Sequence, residues 1–182
     1  EKAAWDFVNQ QTSGSPMEMA VISPGGLFGP PLGQNITGQS MSAFDQILRG
    51  KIPLVPKFAF PTVDVRDVAK LHVQALTSPA ASGKRIIVAG EEPNGMLDVM
   101  KILKTEGYKG PSTRIAPNFL LRVVALFDRE AKGMLVYLGM NVSCDSSETR
   151  KMFNWMPIPF KQSVLETAVA VKSIQDKAQR GL

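Results

Sequence analysis

The segment Pro24-Gly25-Gly26-Leu27-Phe28-Gly29-Pro30-Pro31-Leu32-Gly33 restricts what this chain can fold into more than any other stretch. Its three prolines remove backbone donors and its four glycines admit positive φ, so it reads as a shaped loop rather than regular structure. Directly before it, Met17–Ser23 (MEMAVIS) has the apolar density of a covered strand. Before that, residues 1 to about 11 form an amphipathic helix, ended by Thr12-Ser13-Gly14-Ser15-Pro16. A helix feeding a buried strand through a short turn is α/β grammar. In open α/β sheets ligands sit at the C-terminal ends of strands, which makes this loop the leading site candidate offered by local sequence.

The rest of the chain continues the alternation. Ser40 to Arg49 reads as a helix closed by Gly50, followed by an irregular extended piece through Pro56. Phe60-Pro61-Thr62-Val63 approaches a strand, and a helix to Leu76 follows with Val68, Leu71, Ala75 and Leu76 on its buried face. Either Asp64 or Asp67 can cap that helix. After the turn from Pro79 to Gly83, Lys84–Gly90 is a second strand with an apolar centre. From Asn94 the helical signal dominates, with Met96, Val99, Met100 and Leu103 on one side of a helix ending near Gly107. Residues 117 to 138 carry Phe119, Leu120, Val123, Val124, Phe127, Met134, Leu135 and Leu138, expected to be packing residues. Asp145 and Glu148 make a capping pattern for a helix through Phe153, and a final helix to about Gln179 buries Phe160, Val164, Ala168 and Val171.

Composition excludes several classes. A chain of 182 residues with 44% hydrophobic and 20% charged residues predicts one globular domain with a sizeable core. A single His rules out a multi-histidine metal centre built from this chain alone, and a single Cys rules out an intrachain disulfide framework. No run approaches 18 apolar residues: Arg122, Asp128, Arg129, Glu130 and Lys132 interrupt the densest helical segment, so no membrane span is expected. A start at Glu1-Lys2-Ala3-Ala4 without a basic, apolar leader suggests a piece cut from a longer, cytoplasmic protein. The net charge of +5 comes from scattered Lys and Arg with no aromatic-laced stripe, so nucleic-acid binding is not expected.

Self-contained chemistry is missing. The chain has no GxGxxG fingerprint, phosphate loop, nucleophile elbow or HExxH motif. His72 stands alone on a helix and reads as structural or solvent-facing, and Cys144 has no base placed beside it by the sequence. Neither Tyr108 nor Tyr137 has a Lys four residues downstream, so a tyrosine-lysine acid/base pair is absent.

Taken in order, the helix of Glu1 to Val8, the strand ending Ser23-Pro24-Gly25, the Pro-Gly-x-x-x-Gly-Pro loop, Val63-Asp64-Val65-Arg66-Asp67-Val68-Ala69, the strand Ile86 to Gly90 and Ser147-Glu148-Thr149-Arg150-Lys151-Met152-Phe153-Asn154-Trp155 carry a resemblance. The chain resembles the C-terminal half of the extended short-chain dehydrogenase/reductases, the NAD(P)-dependent epimerase/dehydratase group, on its dihydroflavonol-reductase and aldehyde-reductase side. The resemblance implies an α/β fold: the C-terminal portion of an NAD(P)-binding Rossmann-like parallel sheet with a largely helical substrate-binding part. It implies a single partial domain over 1–182, with 1–92 supplying sheet and active-site loop and 93–182 the interleaved, mostly helical substrate side. Ser23, Pro24, Gly25, Gly26, Leu27 and Arg66 are then expected on the cofactor, NAD or NADP, and Phe28, Pro30 and Leu32 at the substrate mouth. For Arg66 a salt-bridge role is the alternative. Ser23 departs from the Asn often found before that proline, and Gly26 stands where a bulkier apolar residue is common.

The implied parent is a ketone or aldehyde reductase exchanging hydride between NAD(P)(H) and a carbonyl/alcohol carbon. No catalytic or metal-binding residue is assigned within this chain, because the serine, tyrosine and lysine of such enzymes fall in the other half. The isolated chain is expected to be inactive and to bind cofactor weakly or not at all. An N-terminal fragment of the same protein or a homo-oligomer is an expected partner. A noncatalytic nucleotide- or protein-binding relative and a sugar-nucleotide epimerase/dehydratase are the alternatives.

Overall fold

The α3 helix, Val65–Thr77, starts where the strand β3, Phe60–Asp64, stops, and Asp64 makes the switch. Its backbone is still extended at φ −77° and ψ 137°, while its carboxylate accepts the Arg66 amide, one of the donors a helix start leaves unpaired. Of the two aspartates that could cap this helix, Asp64 does so. Asp67 lies in the first turn, nearly buried, and accepts the backbone amide of Ile158 at 2.8 Å.

The structure is a computed structural model that describes residues 1–182 except 13, 15, 128–131, 134 and 181–182, and leaves the side chain of residue 124 undescribed. Ser13, Ser15, Asp128, Arg129, Glu130 and Met134 therefore lie outside the described residues. The chain opens with α1, Lys2–Asn9, then β1, Val21–Pro24, and β2, Gly26–Phe28. After α2, Gln39–Leu48, come β3 and α3, then β4, Arg85–Val88, and β5, Pro93–Asn94. The C-terminal half is helical: α4, Met96–Thr105; α5, Asn118–Val124; α6, Ser147–Phe153; and α7, Phe160–Gln179.

Among the described residues the strands form two small sheets. β1 runs parallel to β4, with Val21 opposite Arg85 and Pro24 opposite Val88. β2 runs parallel to β3, with Phe28 opposite Asp64, and β3 pairs antiparallel with β5. The α/β class is as the sequence indicates, and the parallel pairing of β1 with β4 agrees with the parallel sheet that the resemblance implies. Three details are corrected. The β1 ladder begins at Val21, so Met17–Ala20 is extended chain ahead of it. Residues 24–33 are not all loop, because Pro24 closes β1 and Gly26–Phe28 is a strand. Within 117 to 138, Phe119, Val123 and Phe127 face solvent where packing was expected.

Two apolar clusters hold the chain together. In one, Phe44 and Ile47 of α2, Val99, Met100 and Leu103 of α4, and Val164, Ala168 and Val171 of α7 meet around Val55. In the other, Val63, Val68, Leu71, Ile86 and Val88 pack against Phe153 and Trp155, so α3 and α6 cover the strands. Both α4 and α7 bury the residues their 3.6-residue periodicity marks. Of the expected packing residues of 117 to 138, Phe119 is 70% and Phe127 89% exposed and Val123 is open as well, whereas Leu120, Leu135 and Leu138 are half-buried. Periodicity identified the stripe correctly as apolar, but among the described residues no element covers it.

Candidate functional site

The proline-glycine segment is held at two points, and each is a packing solution. Gly25 follows the end of β1, where its amide donates to Val88 O at 3.0 Å. A Cβ there would collide with the carbonyl of Pro61, so only glycine lets β1 pass this close to β3. Four residues on, Gly29 adopts φ +126°, and an added Cβ would lie 3.0 Å from Asp64 Oδ1 and 2.7 Å from Val65 Cγ1. Its amide donates to Thr167 Oγ1 at 2.9 Å on α7. Between these anchors Phe28 turns inward, with its ring in edge contact with Phe44 at 5.6 Å and tilted against Phe160 at 5.8 Å.

Asp64 organises the far anchor. Its side chain has no exposure to solvent. It accepts from Arg66 Nε and Nη2, both at 2.8 Å, from the Arg66 amide at 2.9 Å and from Ser163 Oγ at 2.6 Å. Burial alone would raise this carboxyl, but the hydrogen bonds from Arg66 and Ser163 and the adjacent guanidinium outweigh it and hold it below its ordinary value. Arg66 is held protonated by Asp64, whose effect exceeds the cost of burial, and also by Glu166, to which its Nη1 donates. Thr167 Oγ1 donates to Ser163 O while accepting from Gly29, so one face of α7 braces strand end, helix cap and loop together.

The near anchor borders an open cleft of about 330 Å³ lined by Ser23, Pro24, Gly25 and Gly26 on one side and Phe60, Pro61, Ile87, Ala89 and Cys144 on the others. That volume lies at the lower end of the range for small-molecule sites. The Cys144 thiol faces Gly90 O at 3.6 Å, and burial, then Asp145 and Glu91, push it up, so it is not an activated nucleophile. Among the described residues no group of three His, Cys, Asp or Glu could hold a metal ion, and no helix is long and apolar enough to cross a membrane.

The expected site residues thus fall into separate places. Ser23, Pro24, Gly25 and Gly26 come together on the cleft. Leu27 is exposed on the opposite side of β2 from the inward Phe28. Leu32 stands fully in solvent, and Pro30 is half-buried beside Gly29. Arg66 sits past the other end of β2, engaged by Asp64 and Glu166, which is the salt-bridge role. Phe60, Ile87 and Ala89 escaped notice as cleft residues because strand pairing alone brings them to Ser23. His72 lies on the exposed side of α3, its Nδ1 2.8 Å from Val68 O.

No family model matches the chain. It is 24% identical to an uncharacterized oxidoreductase of Saccharomyces cerevisiae over 184 residues, 98% of this chain and 49% of that protein. It is 30% identical to the NADPH-dependent methylglyoxal reductase of the same yeast over 111 residues, 58% of this chain and 32% of that protein. A cinnamoyl-CoA reductase of Medicago truncatula is 32% identical over 104 residues, covering 57% and 29%. The solved yeast methylglyoxal/isovaleraldehyde reductase in complex with NADPH superimposes with a TM-score of 0.72 at 22% identity, over 96% of this chain and 53% of that one. The UDP-glucose 4-epimerase of Thermotoga maritima superimposes at 0.69 with 13% identity, over 96% and 51%. The chain spans about half the length, or less, of these relatives.

Proposed function

We propose that the chain is a member of the extended short-chain dehydrogenase/reductase family and forms the substrate-side half of an NAD(P)-dependent reductase acting on an aldehyde or ketone. The observation that carries this reading is the cleft at the C-terminal end of β1, where Ser23-Pro24-Gly25-Gly26 faces Ile87 and Ala89 of the neighbouring parallel strand and its extension. A ligand at the carboxyl ends of parallel strands is what this architecture accommodates.

The residues present fit one end of a dinucleotide. A cleft of about 330 Å³ with a largely apolar wall of Pro24, Phe60, Pro61, Ile87 and Ala89 suits a flat ring, and Ser23 and the backbone of 24–26 supply its polar edge. A pyrophosphate needs a glycine-rich turn opening a helix, which this sequence does not contain. When bound, NAD(P)(H) supplies the hydride. This chain's own contribution is to seat the nicotinamide edge, while β2, between Gly25 and Gly29, presents Leu27 outward. The proton donor and the pyrophosphate site belong to the other half of the parent.

An apolar carbonyl substrate is favoured over a sugar nucleotide, because Leu27, Leu32 and the α5 stripe of Phe119 and Val123 are exposed while Arg66 is already engaged by two carboxylates. The test is to prepare the chain alone and joined to the nucleotide-binding half of its parent polypeptide, and to follow NADPH fluorescence and NADPH consumption with methylglyoxal and isovaleraldehyde. The joined protein should consume NADPH only with a carbonyl present, and the chain alone should neither bind nor consume it. Micromolar NADPH affinity of the chain alone, or a joined protein that binds NADPH and reduces neither aldehydes nor ketones, would overturn the reading.

A further inference from the structure

The glycines at 25, 26 and 29 are glycines for different reasons. Gly25 is barred from carrying a side chain by the carbonyl of Pro61, and Gly29 by its positive φ, so both answer to backbone. Gly26 has neither constraint. Its φ suits any residue, and the three atoms a Cβ there would meet first all belong to the Phe60 ring, beginning with Cε2. Gly26 pairs with Thr62, two residues beyond Phe60 on β3, so the ring leans along its own strand and lies over Gly26. The space that a side chain of β2 would fill is filled from β3 instead. The ring is also held on its face. Phe58 stacks on it with centroids 5.7 Å apart and 11° between the planes, and Tyr137 tilts against Phe58 at 6.4 Å. The backbone of 57–59 is tied to the segment after Tyr137: Lys57 O accepts from the Gly139 amide, the Ala59 amide donates to Met140 O, and Ala59 O accepts from the Val142 amide. Every one of these contacts joins two segments of this chain, so none depends on what covers the cleft.

Resting on the reductase reading above, we infer that Phe60 is the residue that limits the size of the carbonyl substrate, and that the cleft takes aldehydes and ketones bearing a small aliphatic group. Phe60 lines the cleft on its β3 side, while Ile87 and Ala89 line it on the side of β4 and its extension. A volume of about 330 Å³ shared between one ring of a dinucleotide and the substrate leaves room for little beyond a few carbon atoms. A flexible wall would yield to a larger group. This one yields only by giving up the stack on Phe58, and Phe58 only by giving up its own ties to 139–142. With glycine at 26, no side chain of β2 shares the task at that point, so selection by size falls on one ring.

The test uses the joined parent protein and compares kcat/KM for methylglyoxal with that for cyclohexanecarbaldehyde at saturating NADPH, so that a change in cofactor binding cancels from the ratio. The unmodified protein should prefer the smaller aldehyde, and Phe60→Ala should move the ratio toward the bulkier one by about tenfold or more. Adding Gly26→Leu to Phe60→Ala returns a side chain to the same space from β2 and should move the ratio back. Urea unfolding gives an arm without turnover. Gly26→Ala should raise the unfolding constant about tenfold when Phe60 is present and leave it nearly unchanged in the Phe60→Ala background. An unmodified protein that prefers the bulkier aldehyde, a ratio unmoved in a folded and active Phe60→Ala protein, or an equal cost of Gly26→Ala in both backgrounds would overturn the inference and leave the reductase reading standing. A joined protein that binds NADPH and reduces no carbonyl would overturn that reading and the substrate limit with it, while the urea comparison would still decide whether Phe60 holds the space over Gly26.

Discussion

The junction at Asp64 and the surface of α5 invert what their sequences suggest. Around Asp64 a stretch rich in charge is driven inside: the carboxylate is fully buried, Asp67 is nearly so, and Ser163 and Thr167 join them. On α5 and the turn after it apolar residues are left outside, with Phe119, Val123, Leu126 and Phe127 exposed. Burial follows the presence of a facing surface with matching chemistry. Asp64 has one, because α7 supplies a hydroxyl and a second carboxylate that completes the pairing of Arg66. The α5 stripe faces no described element.

The contrast can be broken first at its polar end. Asp64→Ala removes a helix cap, the acceptor of the Arg66 fork and the partner of Ser163, and should cost about 3 kcal/mol, read as a lower urea midpoint at unchanged slope. Arg66 is partly exposed and can turn to water, which keeps the loss below that of a sealed ion pair. Gly29→Ala forces a side chain into φ +126° against Asp64 and Val65, and should cost about 2 kcal/mol. A fall of less than half that would mean the loop is not braced by this junction.

Acid sharpens the comparison further. Because the folded carboxyl of Asp64 is held below its unfolded value, its contribution is complete above the ordinary carboxylate range and is lost as pH falls through the folded value. Unfolding free energy measured from neutral pH downward should decline across that window, and Asp64→Asn should flatten the decline. An unchanged slope in Asp64→Asn would assign the acid sensitivity to other carboxylates. The smallest effect is expected on α5 and the turn after it. Phe119→Ser and Phe127→Ser should change stability by no more than about 0.5 kcal/mol, while reducing binding of a hydrophobic dye. A loss above 2 kcal/mol would show that the stripe is buried in solution.

Local patterns reported the fold well where local physics decides it. The helices α2, α3, α4 and α7, the strands β1 and β4, and the turn before β4 all follow from periodicity, caps and breakers to within a few residues. What was not legible depends on distant chain. Gly26–Phe28 reads as loop because glycine and proline surround it, yet it is a strand once Thr62, Val63 and Asp64 lie alongside. The choice between Asp64 and Asp67 as cap was undecided locally because the second carboxylate is taken by an amide 91 residues away. Of the site, the cluster from Ser23 to Gly26 was readable as a strand end, whereas its opposing wall of Phe60, Ile87 and Cys144 exists only through pairing. The same pairing explains Gly25, whose glycine requirement comes from the Pro61 carbonyl and needs no ligand.

The bracing of the loop by α7 also has a consequence in time. Gly29 is fastened to Thr167, 138 positions later, and Asp45 of α2 to Gln175, 130 positions later. A chain emerging from the ribosome exposes the proline-glycine segment and the apolar face of α2 long before their supports exist. The loop can take its native shape only once α7 is available, so this part of the fold should form late and not stepwise with the order of the chain.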